Sequence, residues 1–332
     1  MRHGTTIGTN ALLERAGAKV AFVTTAGFED TIAIGRQARH HLYNWIAIPK
    51  PCLVPRERRF GVAERVTAGG DILHAPDAMA LKTLGEQIGS SGAESIAISL
   101  LFAFQNPDNE RRVLAALKDL GLPLSASHEI LPEFREYERA STVVVNAYLA
   151  VKAGAYLSRL EGAIQDAMGG ALYVMQSSGG IISAQLAARE PVRTVLSGPA
   201  GGAVGAYLVA RLAGFENMIA FDMGGTSTDV CLIESSGPRT TNEARVAEIP
   251  VSVPMLDIHT VGAGGGSMAR FDEGGLLRVG PESAGADPGP ICYGRGTQPT
   301  VTDANLVLGG IDPDRRQGVV AAHGVQRSRR RG

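Results

Sequence analysis

Between Phe221 and Val230 the chain sets Asp222, then Gly224 and Gly225, then Thr226, Ser227 and Thr228, then Asp229. Adjacent glycines remove the side chains that keep a ligand away from backbone N–H groups. Successive N–H groups and hydroxyls cradle phosphate oxygens, and a carboxylate at a strand end can hold Mg2+, usually through water. Apolar runs enter at 218–221 and leave at 230–233, so the expectation is strand, tight turn, strand. A merely polar hairpin tip shares the Gly-Gly turn. The full D-x-G-G-T-x-x-D order between two strands favours phosphate held by Gly224, Gly225, Thr226, Ser227 and Thr228.

Three further groupings have chemistry to offer. Asp257 and His259 alternate with apolar residues and so are expected on one strand face. With His128 brought in by the fold they are a possible divalent-metal set; an Asp–His hydrogen-bonded pair in a polar cleft is the favoured alternative. The run Gly264, Gly265, Gly266 follows a strand and suits close approach of a nucleotide. Ser197-Gly198-Pro199-Ala200-Gly201-Gly202 opens a helix, where free N–H groups bind an anion, or where Gly201 and Gly202 simply allow close packing.

The elements that position these groups read as an α/β chain. A helix is expected over 10–16 with Thr9 as N-cap and Gly17 as its end, then a strand over 19–25, strand-like runs at 59–62 and 71–73, and a helix over 75–88. A buried strand follows at 95–101, and then an amphipathic helix over 107–120 closed by Gly121. The long stretch 136–168 reads as helix interrupted at 151–154 and linking two halves. Strands are expected at 172–175, 192–196, 245–253 and 255–261, and a helix from Ser197 to Ala213. Residues 281–303 form a long Gly- and Pro-rich loop with Asp287 and Asp303, and residues 302–305 cap a last helix. Strand, helix, strand, helix is the α/β pattern.

Composition narrows the class. A chain of 332 residues is long enough for two domains with a sizeable core. A net charge of −1 gives no reason to expect nucleic acid, and the 42 glycines cluster in short runs that suit ligand-facing turns. Cys52, Cys231 and Cys292 lack metal or redox spacing, so reduced thiols are expected. With no leader and no apolar run of membrane length, the expectation is a soluble cytoplasmic protein. Beyond Asp312 an arginine-rich stretch without periodicity reads as a frameshifted or truncated end rather than a nucleic-acid arm.

The decamer at 221–230 resembles the phosphate loop of the actin-like ATPase superfamily. Longer matches resemble the hydantoinase A/5-oxoprolinase family: His3-Gly4-Thr5-Thr6 with Thr9-Asn10-Ala11-Leu12, the stretch Ser197 to Gly202, the run Asp257 to Ser267, and Ser283 to Pro290. The likeness covers residues 2 to about 312. It implies an α/β, actin-like ATPase (ribonuclease H-like) fold of two subdomains with a nucleotide cleft. Residues 1–130 then correspond to the N-terminal subdomain, 131–312 to the core domain with the phosphate loop, and 313–332 to a tail foreign to the family. Relatives carry another D-x-G-G-T loop upstream; the expectation here is a truncated first subdomain. The resemblance implies ATP and Mg2+ as cofactors and opening of a cyclic amide such as hydantoin, N-methylhydantoin or 5-oxoproline. Asp222 would contact the Mg2+ water and Asp229 would support it or act as base; Gly264, Gly265 and Gly266 would face the adenosine. A hydantoinase B-like partner subunit and an oligomer are expected. The ATP-binding subunit of an acetone or acetophenone carboxylase and an inactive fragment are the alternatives.

Overall fold

The computed structural model describes residues 1–37, 43, 45, 46 and 52–312; the arginine-rich tail lies outside the described residues. The chain forms two compact units, Met1–Gly201 with Thr240–Leu256 and Gly202–Arg239 with Asp257–Gly332.

The first unit opens with β1 (Arg2–His3), α1 (Ile7–Leu13), β2 (Val20–Thr25), α2 (Thr31–Ile34), β3 (Arg59–Val62) and the small pair β4 (Arg65–Val66) and β5 (Ile72–His74). It continues through α3 (Ala78–Ser90), β6 (Ser95–Ser99), α4 (Asp108–Leu117), β7 (Leu124–Ala126), α5 (Ser127–Ile130) and α6 (Glu136–Met168). Strands β3, β2, β6 and β7 lie in that order and all parallel. Every residue of β2 and β6 is buried. A strand covered on both faces needs apolar residues throughout, which is why these two read as runs rather than alternations. Ala21, Val23, Ile96 and Ile98 pack with Leu84, Ile88, Val113 and Leu117 of α3 and α4. Val20, Phe22 and Ala97 pack on the other face with Val143, Val144, Ala147 and Leu149 of α6.

Helix α6 runs 33 residues without a break, which corrects the expected interruption at 151–154. A Cβ at Gly154 would meet only the Ala188 carbonyl, at 3.7 Å, so nothing there bends the helix. All of α6 falls in the first unit, so it does not link the two. Past it come β8 (Tyr173–Met175), β9 (Ile181–Ser183), α7 (Ala184–Arg189) and α8 (Ser197–Leu212), with β1 parallel to β8. The expected strand at 192–196 is instead a 3-10 turn over Pro191–Thr194, because Pro191 starts a turn on Glu190 and the Arg193 N–H returns to the Glu190 carbonyl at 3.1 Å. Helix α1 starts after Thr6 rather than Thr9, whose hydroxyl accepts the Leu196 N–H at 3.0 Å, and it ends at Leu13, before Gly17.

The second unit carries β10 (Met218–Met223), β11 (Thr228–Glu234) and β12 (Gly237–Pro238). The chain then returns to the first unit for β13 (Thr240–Thr241), β14 (Ala244–Val246), β15 (Ile249–Val251) and β16 (Met255–Leu256). Residues 245–253 are therefore a hairpin, not one strand: Ala247 and Glu248 take φ of 50° and 69°, the pair of left-handed residues a tight turn requires. The second unit closes with β17 (Ile258–Val261), β18 (Ser267–Phe271), β19 (Leu277–Ser283) and α9 (Val301–Val307). The last helix is capped by Thr300, whose hydroxyl and N–H both reach the Asp303 carboxylate. Among the described residues no helix is long and apolar enough to cross a membrane.

A straight α6 has a measurable consequence. Gly154→Ala relieves the backbone entropy of a mid-helix glycine and meets no clash, so urea unfolding is expected to show a gain of about 0.5–1 kcal/mol. A loss of stability would mean that the helix bends there.

Candidate phosphate-binding hairpin

Strands β10 and β11 pair Asp222 with Asp229 and Met223 with Thr228, leaving 224–227 as the turn. Strand β17 lies on the far side of β11 and sets Thr260 beside Asp229. Asp222, Asp229 and Thr260 thus form one row across three strands and share one face. The Thr260 hydroxyl donates to Asp229 Oδ1 at 2.6 Å, which fixes that carboxylate, while Asp222 is exposed. Carboxylates directly opposite each other repel. A divalent cation at the row would relieve that repulsion, and hard carboxylate oxygens suit Mg2+.

The turn itself divides its donors. The Gly224 N–H closes onto the Ser227 carbonyl at 2.8 Å. The N–H groups of Gly225, Thr226 and Ser227, and the hydroxyls of Thr226 and Ser227, have no partner among the described residues. Gly225 and Thr226 are exposed, as a phosphate cradle needs, whereas Ser227 is half-buried and its N lies on the side of Gly264. Thr228 does not share this role: it is buried and its hydroxyl donates to the Ala263 carbonyl at 2.5 Å.

The glycine run 264–266 turns out to pack against this turn. A Cβ on Gly264 would lie 2.7 Å from the Gly224 carbonyl oxygen and 2.8 Å from Ser227 N; one on Gly266 would lie 2.9 Å from the Gly225 oxygen. The Gly265 and Gly266 N–H groups donate to the Gly224 and Gly225 carbonyls at 2.9 and 2.6 Å. The absence of side chains here lets two backbones touch, and the N–H groups expected to meet a nucleotide are already engaged. Thr302 completes the lock, its N–H and hydroxyl both bound to the Gly265 carbonyl. Thr260 and Thr302 escaped sequence reasoning; only the cross-strand pairing of the segment after the motif could have pointed to Thr260.

Gly201 and Gly202 lie a turn inside α8, whose free N–H groups belong to the residues from Ser197 onward. A Cβ on Gly201 would lie 3.7 Å from the Met175 side chain and one on Gly202 would meet nothing within 4 Å, and neither residue stands at the first turn of the helix, where free N–H groups bind anions. The Ser197 hydroxyl is held by the Thr5 backbone, accepting its N–H at 3.3 Å and donating to its carbonyl at 3.1 Å.

The second metal set is not assembled. Strand β17 begins at Ile258, so Asp257 is not on a strand with His259; the chain changes units at Asp257, and its N–H donates to the Arg239 carbonyl at 2.8 Å. His259 pairs with Val230, one residue out of step with the carboxylate row and therefore on the opposite face. His128 belongs to the first unit, where Nδ1 lies 2.5 Å from Glu110 Oε2. Among the described residues no three His, Cys, Asp or Glu side chains cluster as metal ligands. These donors do not fit a second divalent ion. The three cysteines are free thiols, Cys231 and Cys292 buried; burial, with Asp303 adding to it, pushes the Cys292 thiol up to about 12.

Comparison with known proteins places this hairpin in a family context. Residues 139–326 match the Hydantoinase/oxoprolinase model and residues 1–121 the Hydantoinase/oxoprolinase N-terminal region model. Caprolactamase subunit alpha from Pseudomonas jessenii is 38% identical over 315 residues, covering 92% of this chain and 45% of that protein. The 5-oxoprolinase of Saccharomyces cerevisiae is 36% identical over 345 residues, covering 95% of this chain and 26% of that protein. The crystal structure of ATP-dependent caprolactamase from Pseudomonas jessenii superposes with a TM-score of 0.82 at 35% identity, over 99% of this chain and 49% of that one. Nucleotide-free acetone carboxylase superposes with a TM-score of 0.78 at 31% identity, over 98% and 48%. The chain thus spans half or less of the length of each of these relatives.

The interlock separates two glycines that the sequence treats alike. Gly264→Ala must displace backbone atoms, and overpacking of this kind costs about 1–3 kcal/mol. Gly225→Ala meets nothing within 4 Å and is expected to leave thermal unfolding unchanged. Equal melting temperatures for the two variants would contradict the packing described.

Proposed function

The chain belongs to the hydantoinase/oxoprolinase family, and we propose that it carries the ATP-handling hairpin of an ATP-dependent cyclic amide hydrolase with an actin-like ATPase fold. The observation that carries this reading is the Asp222–Asp229–Thr260 row capped by a turn with uncommitted N–H groups. In it, the Gly225, Thr226 and Ser227 N–H groups and the two hydroxyls of Thr226 and Ser227 hold phosphate oxygens. Asp222 holds the water shell of Mg2+. Asp229, oriented by Thr260, supports that shell or takes the proton of the attacking water. Gly224 serves through the turn it makes. ATP, when bound, would supply a phosphoryl group to the amide oxygen, which makes the poorly electrophilic amide carbon open to attack by water, with the protonated ring nitrogen as the leaving group and phosphate released from that oxygen by a second water. Positioning and charge neutralisation supply most of such catalysis.

The relatives named 5-oxoprolinase and caprolactamase support a cyclic amide as substrate. The name of the caprolactamase relative, a subunit alpha, supports work alongside a second subunit, the hydantoinase B-like partner. The acetone carboxylase likeness supports a second reading, in which the same hairpin activates a ketone or bicarbonate instead. Substrate-stimulated ATP hydrolysis by the assembled subunits separates the two. Stimulation by 5-oxoproline, hydantoin or caprolactam supports the amide reading, and stimulation by acetone with bicarbonate supports the other.

Asp222→Asn keeps the shape of the row and removes one charge. Hydrogen bonds to charged groups contribute about 1.5–3 kcal/mol, so Mg-ATP affinity by calorimetry is expected to fall roughly 10- to 150-fold with the melting temperature unchanged. An affinity equal to that of the parent chain would remove Asp222 from the site.

A further inference from the structure

A cavity of about 550 Å3 opens within the first unit, and its walls include Arg36, Arg135, Glu138, Glu243, Arg245 and Ser252. Cavities of this size hold small molecules. Three guanidiniums and two carboxylates leave it with one positive charge in excess. The charges are not equivalent. Arg36 and Glu138 form a two-point pair, Nε to Oε1 at 2.7 Å and Nη2 to Oε2 at 2.9 Å. The backbone before Arg36 is fixed as well: Gly35 takes φ of 55°, and a Cβ there would lie 2.9 Å from the Tyr137 ring. Arg135, at the head of α6, takes φ of 76°, rare for a residue with a side chain. It meets Glu243 through one contact only, Nη1 to Oε1 at 2.7 Å, with the two side chains 47 and 75% exposed. An ion pair this open to water contributes little and is readily exchanged. Arg245 has no acidic partner among the described residues, and its Nη1 reaches only the Glu248 carbonyl, at 3.5 Å. The Ser252 hydroxyl has no partner among them either. The charges act on one another: Glu138 holds the Arg36 guanidinium above its usual range and Glu243 adds to this, while burial raises Tyr137 and Arg245 acts against it.

We propose that this cavity binds an open-chain amino acid: its carboxylate takes the Arg245 and Arg135 guanidiniums and the Ser252 hydroxyl, and Glu243, released from Arg135, takes its ammonium. The planar fork of arginine suits a carboxylate. A zwitterion replaces one exposed ion pair by two and leaves the charge of the cavity unchanged, whereas a dianion reverses it. The two-point Arg36–Glu138 pair stays in place as a wall. Hydrolysis of a cyclic amide leaves a molecule of this class. On the reading of function proposed above, on which this link rests, the cavity would take up product; the binding itself stands on the charges of the cavity alone.

Calorimetry on the full chain without nucleotide tests it, so the outcome does not depend on what the hairpin does. Each amino acid is compared with the acid that lacks its amine, glutamate with glutarate and 6-aminohexanoate with hexanoate, and inorganic phosphate is titrated beside them. At least one amino acid is expected to bind at about 1 mM or tighter, and more tightly than its amine-free partner. Arg245→Ala is expected to weaken that binding at least about tenfold with the melting temperature unchanged, and Glu243→Gln to erase the preference for the amine. Arg112→Ala, exposed on α4, is expected to leave both unchanged. The proposal is overturned by no binding of either amino acid, by binding that Arg245→Ala leaves intact, or by a preference that survives Glu243→Gln. Equal binding of the amine-free acids and inorganic phosphate also overturns it, in favour of a surface that attracts any anion.

Discussion

Everything at the hairpin depends on one backbone-to-backbone contact, the run 264–266 laid against the Gly224–Gly225 turn. Two peptide planes can come this close only without Cβ atoms between them, and the Gly265 and Gly266 N–H groups then bond straight to the turn's carbonyls at 2.9 and 2.6 Å. The contact accounts for which donors of the turn remain uncommitted. The Gly224 and Gly225 carbonyls are satisfied by the run, and the N–H groups of Gly225 and Thr226 stay uncommitted on exposed residues. A rigid turn loses less entropy when a ligand orders it, which is why binding loops of this type sit on a fixed support.

The first unit depends on a different device, a buried polar clamp at the C-terminal ends of its parallel strands. Glu110, fully buried, accepts the Leu100 N–H, the Ser127 hydroxyl and the His128 N–H, and takes His128 Nδ1 as a further partner. Arg139, also fully buried, donates to the Leu100 and Glu133 carbonyls, pairs with Glu136 and stacks over the Phe104 ring. Burial lowers the Arg139 pKa and raises that of Glu136, and each acts against the shift of the other. Buried charges of this sort persist only when every donor and acceptor is matched, and here the match holds the chain where β6 ends.

The local pattern of the sequence carried much of this fold. Fully apolar runs identified β2 and β6, capping and length identified α4 and α6, and the motif at 222–229 identified the hairpin with its turn. The failures share a cause. Gly154 looks like a helix breaker, yet its neighbours leave it room to be an ordinary helical residue. Ala247 and Glu248 carry no turn signature, yet both adopt left-handed conformations that fold 245–253 into a hairpin. Asp257 and His259 keep the spacing of a strand, but Asp257 is the residue at which the chain enters the second unit, and β17 begins only after it, at Ile258. Glycine runs at 264–266 and 201–202 look like ligand contacts, and only tertiary neighbours reveal what they touch. Each failure concerns a residue whose role is set by what lies across from it, which no local pattern contains.

The facing carboxylates of Asp222 and Asp229 have a consequence for how the hairpin responds to its surroundings. Thr260 holds only one of the pair, so Asp222 is free to swing away from Asp229 into solvent when no counter-charge is near. On the proposed reading, a cation at the row would hold Asp222 against Asp229, so the order of a single aspartate side chain would follow the cation before any nucleotide binds.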